Sequence, residues 1–261
     1  MPTVHEIEQA LYELAPRDLA QSWDNVGLLV GEPDREVSRI LVALDVTEQV
    51  AAEARDMGAE LIVAHHPVMN IHWHERELQT LRDDTRLGKL LMSLVKTGVS
   101  AICMHTNLDS AQGGVNDALA GALGLEEIEC FSDDGIGRVG VLPEAVELPA
   151  FLRRVKESLR PNGIRYADAG KLVRRVAVGG GACGDMAALA AAKGCDTFVT
   201  SDVKYNGFLD AGGMGLNLID AGHYPTEDVV CPVLIRWLEE RFPSLTIVKS
   251  ASHREVIQYY V

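Results

Sequence analysis

The sequence predicts an α/β protein built from two similar domains. Three observations point there. Apolar, strand-like runs alternate with helix-like segments along the chain. Residues 39–66 lie over residues 175–202 without a gap, at a constant shift of 136. Histidines and carboxylates gather just past the apolar runs, where parallel α/β sheets place their ligands.

The elements follow in order. "MPTVHEIEQALYELA" reads as a helix whose Thr3 and Glu6 have capping-box spacing. "SWDNVGLLVG", residues 22–31, reads as a turn entering a strand, with Asp24 and Asn25 tying loop backbone. "RILVALDVTEQVAAEARDMGAELIVAHH" reads as strand, turn, helix, glycine stop and strand. In the second copy Arg39 meets Arg175, Ala51, Ala52 and Ala54 meet Ala187, Ala188 and Ala190, and Val63 meets Val199. Gly58 and Gly194 coincide where a helix C-terminal glycine belongs. A duplication follows, with a first α/β domain over 1–128 and a second over 129–261. The segment after about 228 is free to pack back on the first domain.

Composition narrows the function classes. Of the 261 residues 47% are hydrophobic, ample for a core, yet no apolar run is long enough to span a bilayer. No basic segment precedes an apolar one at the N-terminus, so no secretory signal is expected. Five scattered cysteines form no C-x-x-C pair, which disfavours a disulfide framework or a cysteine zinc site and suits a reducing cytoplasm. A formal net charge of -14 disfavours a surface that tracks DNA or RNA phosphates.

"IVAHHPV", residues 62–68, ends a strand on two adjacent histidines. Side chains next to each other on an extended chain point to opposite faces, so His65 and His66 suit two neighbouring ions better than one. In two-metal sites the ions lie about 3.5–4 Å apart, and a carboxylate can bridge them. A second polar ending follows in each half: His105 and Asp109 after "SAICM", His223 and Glu227 after "LNLIDAG". Both are His-x-x-x-acid. Pro225 argues against a helix through His223 and Tyr224 and predicts a loop histidine with the acid at the next helix start. Each histidine alone would pass for a loop residue on a wet surface. Together, four of the eight histidines fall at strand ends. A His/Asp/Glu set without cysteine suits zinc, iron or manganese, and Asp109 and Glu227 are the available bridges.

Other motifs carry less. "HWHE", residues 72–75, lies in a polar connection and reads as an exposed loop. His5 and His253 have no cluster near them in sequence and receive no role. "GGGACG", residues 179–184, matches G-x-G-x-x-G between a strand and a helix, and Asp202 stands where a ribose-binding acid belongs. The equivalent turn in the first half, "LDVTEQ", has no glycine, so a tight turn beneath the site competes with a phosphate loop. "SDVKYN" places Asp202, Lys204 and Tyr205 at a strand end, where Lys204 could pair with phosphate or with Asp202.

At these residues the chain resembles the NIF-three-like dinuclear metal proteins, whose bacterial members are often labelled GTP cyclohydrolase type 2 homologues. The motifs "SWDNVGLLVG", "VALDVT", "AHHPV", "HTNLDSAQGGVNDALA", "GRVG", "VAVGGGACG", "TSDVKY" and "DAGHYPTE" run in order over nearly the whole chain. The resemblance implies two similar α/β domains with a dinuclear metal site in the cleft between them, and a ring-like homohexamer. It implies two divalent ions per chain (Zn, Fe, Mn or Ni). His66 and Asp109 would serve one ion, His65 and His223 the other, and Glu227 would bridge. His105 would be a near neighbour of the metals and the best candidate proton carrier. One departure is Asn206, where members commonly carry a histidine; another is the unusual "HWHE" segment. The leading expectation is a metal-dependent hydrolase acting on a nucleotide-like small molecule, GTP by resemblance. The alternatives are a non-enzymatic metal-dependent binding, regulatory or metal-handling protein and, behind it, a dinucleotide-binding oxidoreductase resting on "GGGACG".

Overall fold

The computed structural model describes residues 1–69 and 80–260. The "HWHE" segment lies outside them. The chain forms two compact units, Met1–Ala111 with Cys231–Arg254, and Gln112–Val230 with Glu255–Val261.

The first unit contains α1 (Val4–Leu14), β1 (Gly27–Val30), β2 (Arg39–Ala43), α2 (Glu48–Met57), β3 (Leu61–Ala64), α3 (Arg86–Thr97), β4 (Ser100–Cys103) and α4 (Thr106–Ser110). Two later elements, α10 (Cys231–Arg241) and β11 (Thr246–Lys249), complete it. Its sheet runs β1-β4-β3-β2-β11. The last four strands are mutually parallel, and β1 is antiparallel at the edge. The Thr3–Glu6 capping box closes the start of α1 in both directions. Thr47 and Thr85 cap α2 and α3, which end at Gly58 and Gly98 in the left-handed conformation. Strands β3 and β4 are buried throughout, as parallel strands covered on both faces must be. One face carries Leu41, Ile62, Ala64 and Ala101 against Val50, Ala54, Leu90 and Leu94 of α2 and α3.

The second unit contains α5 (Val115–Ala122), β5 (Glu126–Cys130), β6 (Arg138–Val146), α6 (Leu148–Leu159), β7 (Arg165–Ala167), β8 (Val173–Val178), α7 (Ala187–Ala192), β9 (Thr197–Thr200), α8 (Tyr205–Met214), β10 (Asn217–Asp220) and α9 (His223–Glu227). Its sheet runs β5-β6-β8-β9-β10-β7, with β8, β9 and β10 parallel and β7 antiparallel at the edge beside β10. Leu119, Phe151, Val155, Val176 and Ile219 form a core on one face. Phe131, Ala190, Phe198, Ala211 and Leu218 form one on the other.

The repeat expected from sequence is a repeat of structure. β3 and β9 begin and end 136 positions apart. Ile40 pairs with Leu61 and Val176 with Thr197, so the registers repeat as well. Gly58 and Gly194 both adopt positive φ, +69° and +74°. Even a side-chain clamp recurs. Glu60 accepts from the amides of Ser38 and Arg39 at 3.0 and 2.9 Å, and Asp196 from those of Arg174 and Arg175 at 3.0 and 2.7 Å.

The units do not divide at 128/129. Residues 112–128 belong with the second unit because Leu119, Ala120, Leu123 and Leu125 fill its core. Residues 231–254 return to the first, where β11 adds in parallel to β2 and the Trp237 indole donates to Ala10 O at 3.0 Å. Among the described residues no helix is long and apolar enough to cross a membrane.

Glu53 on α2 fastens the returning segment. Its carboxylate accepts from Ser250 Oγ and Ser252 Oγ, both at 2.6 Å, and from the amides of Ala251 and Ser252 at 2.9 and 3.1 Å. Burial opposes its ionisation, but the hydrogen bonds from Ser250, Ser252 and the amides outweigh it and hold the pKa at about 2, below 4.5. A depressed carboxylate pKa stabilises the fold above the unfolded value and loses that contribution as pH falls through the folded one. Glu53→Gln should therefore lower stability by about 1 kcal/mol at neutral pH, solvent screening at this half-buried position keeping the figure small. Urea unfolding of parent and variant from pH 7 down to pH 2 checks it: the gap should close between about pH 4.5 and pH 2.

Candidate metal centre

The first group lies past the carboxyl ends of β2, β3 and β4. His65 is fully buried, and its Nδ1 donates to Met104 O at 2.8 Å. His66 Nδ1 donates to Asp45 Oδ1 at 2.8 Å. His105 Nδ1 donates to Asp24 Oδ1 at 2.9 Å. The three imidazoles pack as a triangle, with ring centroids 4.9, 5.2 and 5.6 Å apart. One ring nitrogen from each lies within 4.8 Å of the other two. Asp109 on α4 brings Oδ1 to 3.6 Å from His65 Nε2.

Strand alternation does not separate His65 from His66. The amides of both residues donate to one carbonyl, Leu44 O, at 3.1 and 2.9 Å. β3 has already ended at Ala64, and the backbone turns there. The rings are near neighbours, each anchored to the strand end on its own side: His65 to Met104 beyond β4, and His66 to Asp45 beyond β2.

The second group sits at the end of β10. The sequence reading put His223 in a loop because Pro225 follows; instead α9 spans His223–Glu227. Pro225 falls in the first turn, where its missing N–H has no intrahelical partner to lose. His223 and Glu227 therefore stand four apart on one helical face, with Nε2 and Oε2 at 3.0 Å. His105 and Asp109 have the same relation at the start of α4, where His105 O accepts the Asp109 amide at 3.0 Å.

His223 Nδ1 donates to Asp202 Oδ2 at 2.6 Å. Burial disfavours a charged imidazole, but the hydrogen bonds to Asp202 and Glu227 raise its pKa to about 11. The hydrogen bond from His223 holds Asp202 below the usual carboxylate range. In the first unit burial opposes the ionisation of Asp24, yet bonds from His105 and Thr106 bring it to about 2. Asp45 is likewise held low against burial by His253 and His66.

One arrangement thus recurs at all four histidines. An oxygen acceptor takes the Nδ1 proton and turns Nε2 toward the centre, the pattern of metal-bound histidines with an outer carboxylate or carbonyl; at His223, whose Nε2 meets Glu227, a cation would have to displace the Nε2 proton. With Asp109 and Glu227 nearby in their own units, the donor set fits a divalent cation by its chemistry.

The glycine loop packs against the second histidine–carboxylate pair. The amide of Gly179 donates to Val199 O and that of Cys183 to Gly181 O, both at 2.9 Å. Those of Gly180 and Gly181 donate to Asn116 Oδ1 and Thr226 Oγ1 at 2.9 and 3.0 Å. Four amides of the loop are thus spent on protein acceptors. Gly181 has φ +65°, and a Cβ there would overlap Glu227 Oε1 and approach His223 Nε2 at 3.2 Å. Asp202 is the partner of His223 and not a ribose acid. Asn206 occupies an exposed position in the first turn of α8.

Sequence reading assigned no site role to Asp24, Asp45 and His253. Asp45 carried a signal, being a carboxylate just past a parallel strand. His253 carried none: it lies 208 positions from Asp45, yet its Nε2 donates to Asp45 Oδ2 at 2.8 Å.

Gly181→Ala should destabilise the metal-free protein by about 2 kcal/mol, through left-handed strain and the collision with Glu227. Gly194→Ala is the control, since Gly194 also has positive φ but nothing stands within 4 Å of its added Cβ. It should cost about 1 kcal/mol. Urea unfolding of both variants reads the difference.

Residues 2–255 match the Duf34/NIF3 (NGG1p interacting factor 3) family. A Clostridium perfringens protein named GTP cyclohydrolase 1 type 2 homolog is 36% identical over 244 residues, covering 91% of this chain and 90% of that one. A Helicobacter pylori protein named GTP cyclohydrolase 1 type 2 is 32% identical over 231 residues, covering 87% of this chain and 88% of that one. The solved structure of a Bacillus cereus protein related to NIF3 is similar with a TM-score of 0.90 at 26% identity, over 100% of this chain and 99% of that one. The matched length, the two α/β units and these relatives agree that the chain belongs to the Duf34/NIF3 family.

Proposed function

We propose that this chain binds two divalent metal ions through His65, His66, Asp109, His223 and Glu227 and hydrolyses a nucleotide-like substrate. The observation that carries the reading is the shared use of Nδ1: every histidine of the set presents Nε2 because a protein oxygen holds its other nitrogen. The names of the Clostridium and Helicobacter relatives support a cyclohydrolase-like reaction, with GTP the first substrate to try. A ring-like homohexamer in a reducing cytoplasm completes the proposal.

Bound at these residues, two divalent ions would supply Lewis-acid chemistry, polarising an acceptor group and lowering the pKa of water. The residues divide the rest of the work. His65, His66 and His223 bind through Nε2. Glu227 would hold both ions, and Asp109, 3.6 Å from His65, would supply a second carboxylate ligand. His105 moves a proton at Nε2 while Asp24 holds its Nδ1.

His65→Ala and His66→Ala should each lower metal content to about half, by loss of a different ion. Glu227→Gln should lose both, because a neutral amide offsets little of the repulsion between two dications. Elemental analysis per chain, beside melting curves of the metal-free proteins, checks both outcomes. Two ions retained in Glu227→Gln would remove the bridge.

His105→Gln should keep both ions and slow turnover by roughly 10²–10⁴-fold. The assay is GTP consumption by the metal-loaded chain, followed by an unbiased metabolite screen. A metal-loaded protein that consumes nothing in either would contradict hydrolysis and favour a metal-dependent binding role.

A further inference from the structure

Asp45 is shared between two histidines. Its Oδ1 accepts from His66 Nδ1 and its Oδ2 from His253 Nε2, each at 2.8 Å. The His253 side chain is 9% exposed and that of Asp45 40%, so the donor is held within the protein while the carboxylate still meets solvent. The segment that carries His253 is built to hold it. β11 lies parallel to β2, the strand that leads into Asp45. The Ser250 amide donates to Val42 O at 2.8 Å, and Ser250 Oγ accepts from the His253 amide at 3.2 Å. Glu53 grips Ser250, Ala251 and Ser252. Both histidines thus meet on a carboxylate whose backbone and whose second partner are fixed by the same strand pair.

A carboxylate with one oxygen bonded can rotate about its last torsion and offer its partner a poor geometry. A donor on the other oxygen removes that freedom. Outer residues that orient a metal-bound histidine commonly change metal affinity when they are lost. We propose that His253 is a positioning residue: through Asp45 it fixes the orientation of the His66 ring, and so sets the affinity for the one ion that His66 binds. The inference rests on the reading of His66 as a metal ligand. It gives the C-terminal return a purpose beyond closing the sheet edge, because the segment delivers a hydrogen-bond donor to the metal centre.

The test uses the full chain and Zn²⁺ with a competing chelator, in His66→Ala, His253→Ala, His253→Gln and the double variant His66→Ala/His253→Ala. His66→Ala should lose one of two ions. His253→Ala should weaken one ion by roughly 10- to 100-fold and leave the other unchanged. His253→Gln, whose amide can still donate to Asp45, should recover most of that loss. In the His66→Ala background, adding His253→Ala should change nothing, because both act on the same ion. A melting curve of metal-free His253→Ala separates positioning from a purely structural role. A lowered Tm with both affinities at the parent value would overturn the proposal, as would equal weakening of both ions. If His66→Ala keeps both ions, the ligand reading fails and the positioning role falls with it. If His66→Ala loses one ion while His253→Ala matches the parent, only the positioning role fails.

Discussion

Everything proposed for this chain depends on where four imidazole protons sit. A neutral histidine has one donor nitrogen and one lone-pair nitrogen, and a hydrogen bond at one fixes the role of the other. Met104 O, Asp45, Asp24 and Asp202 each take the Nδ1 proton of a histidine. Four Nε2 atoms are turned toward the centre by four hydrogen bonds, and His223 would give up its Nε2 proton when a cation binds. The acceptors sit at strand ends or in the loops beside them, so the sheet fixes their positions and they fix the rings.

The duplication explains why the two halves do this work alike, and the loops explain where they differ. Each unit sets three consecutive parallel strands, β2-β3-β4 or β8-β9-β10, beside an antiparallel edge strand, with β11 added as a fourth parallel strand in the first, and a His-x-x-x-acid pair follows β4 and β10. At the first turn the halves part. In the first unit it supplies Asp45, the acceptor for His66. In the second it supplies Gly181, whose missing side chain leaves room for Glu227. A shared scaffold has been kept, while the same loop holds a histidine in one half and accommodates a carboxylate in the other.

Much of this was legible in the sequence, and the physical reasons are specific. A strand such as β3 is buried on both faces and reads as a continuous apolar run. The Thr3–Glu6 box and the glycines at 58 and 194 announce helix ends because few other residues satisfy those positions. The short helices α4 and α9 were not legible, since five residues are too few to show an apolar period. Strand alternation does not reach His65 and His66, because both amides turn onto Leu44 O. Nor does any local pattern mark residues 112–128 as part of the second unit; their leucines are assigned by packing alone. The meeting of Asp45 and His253 is invisible for the same reason, being a product of β11 docking on β2.

The central claim is that His65, His66 and His223 offer Nε2 while Nδ1 stays protonated on a protein oxygen. Nitrogen-15 NMR of histidine-labelled protein, recorded during a Zn²⁺ titration, tests it directly. The account predicts that the Nε2 resonances of these three residues move on metal addition while their Nδ1–H protons persist, slow to exchange. Metal-induced loss of the Nδ1–H signals, or Nε2 resonances that stay where they were in the metal-free protein, would contradict it.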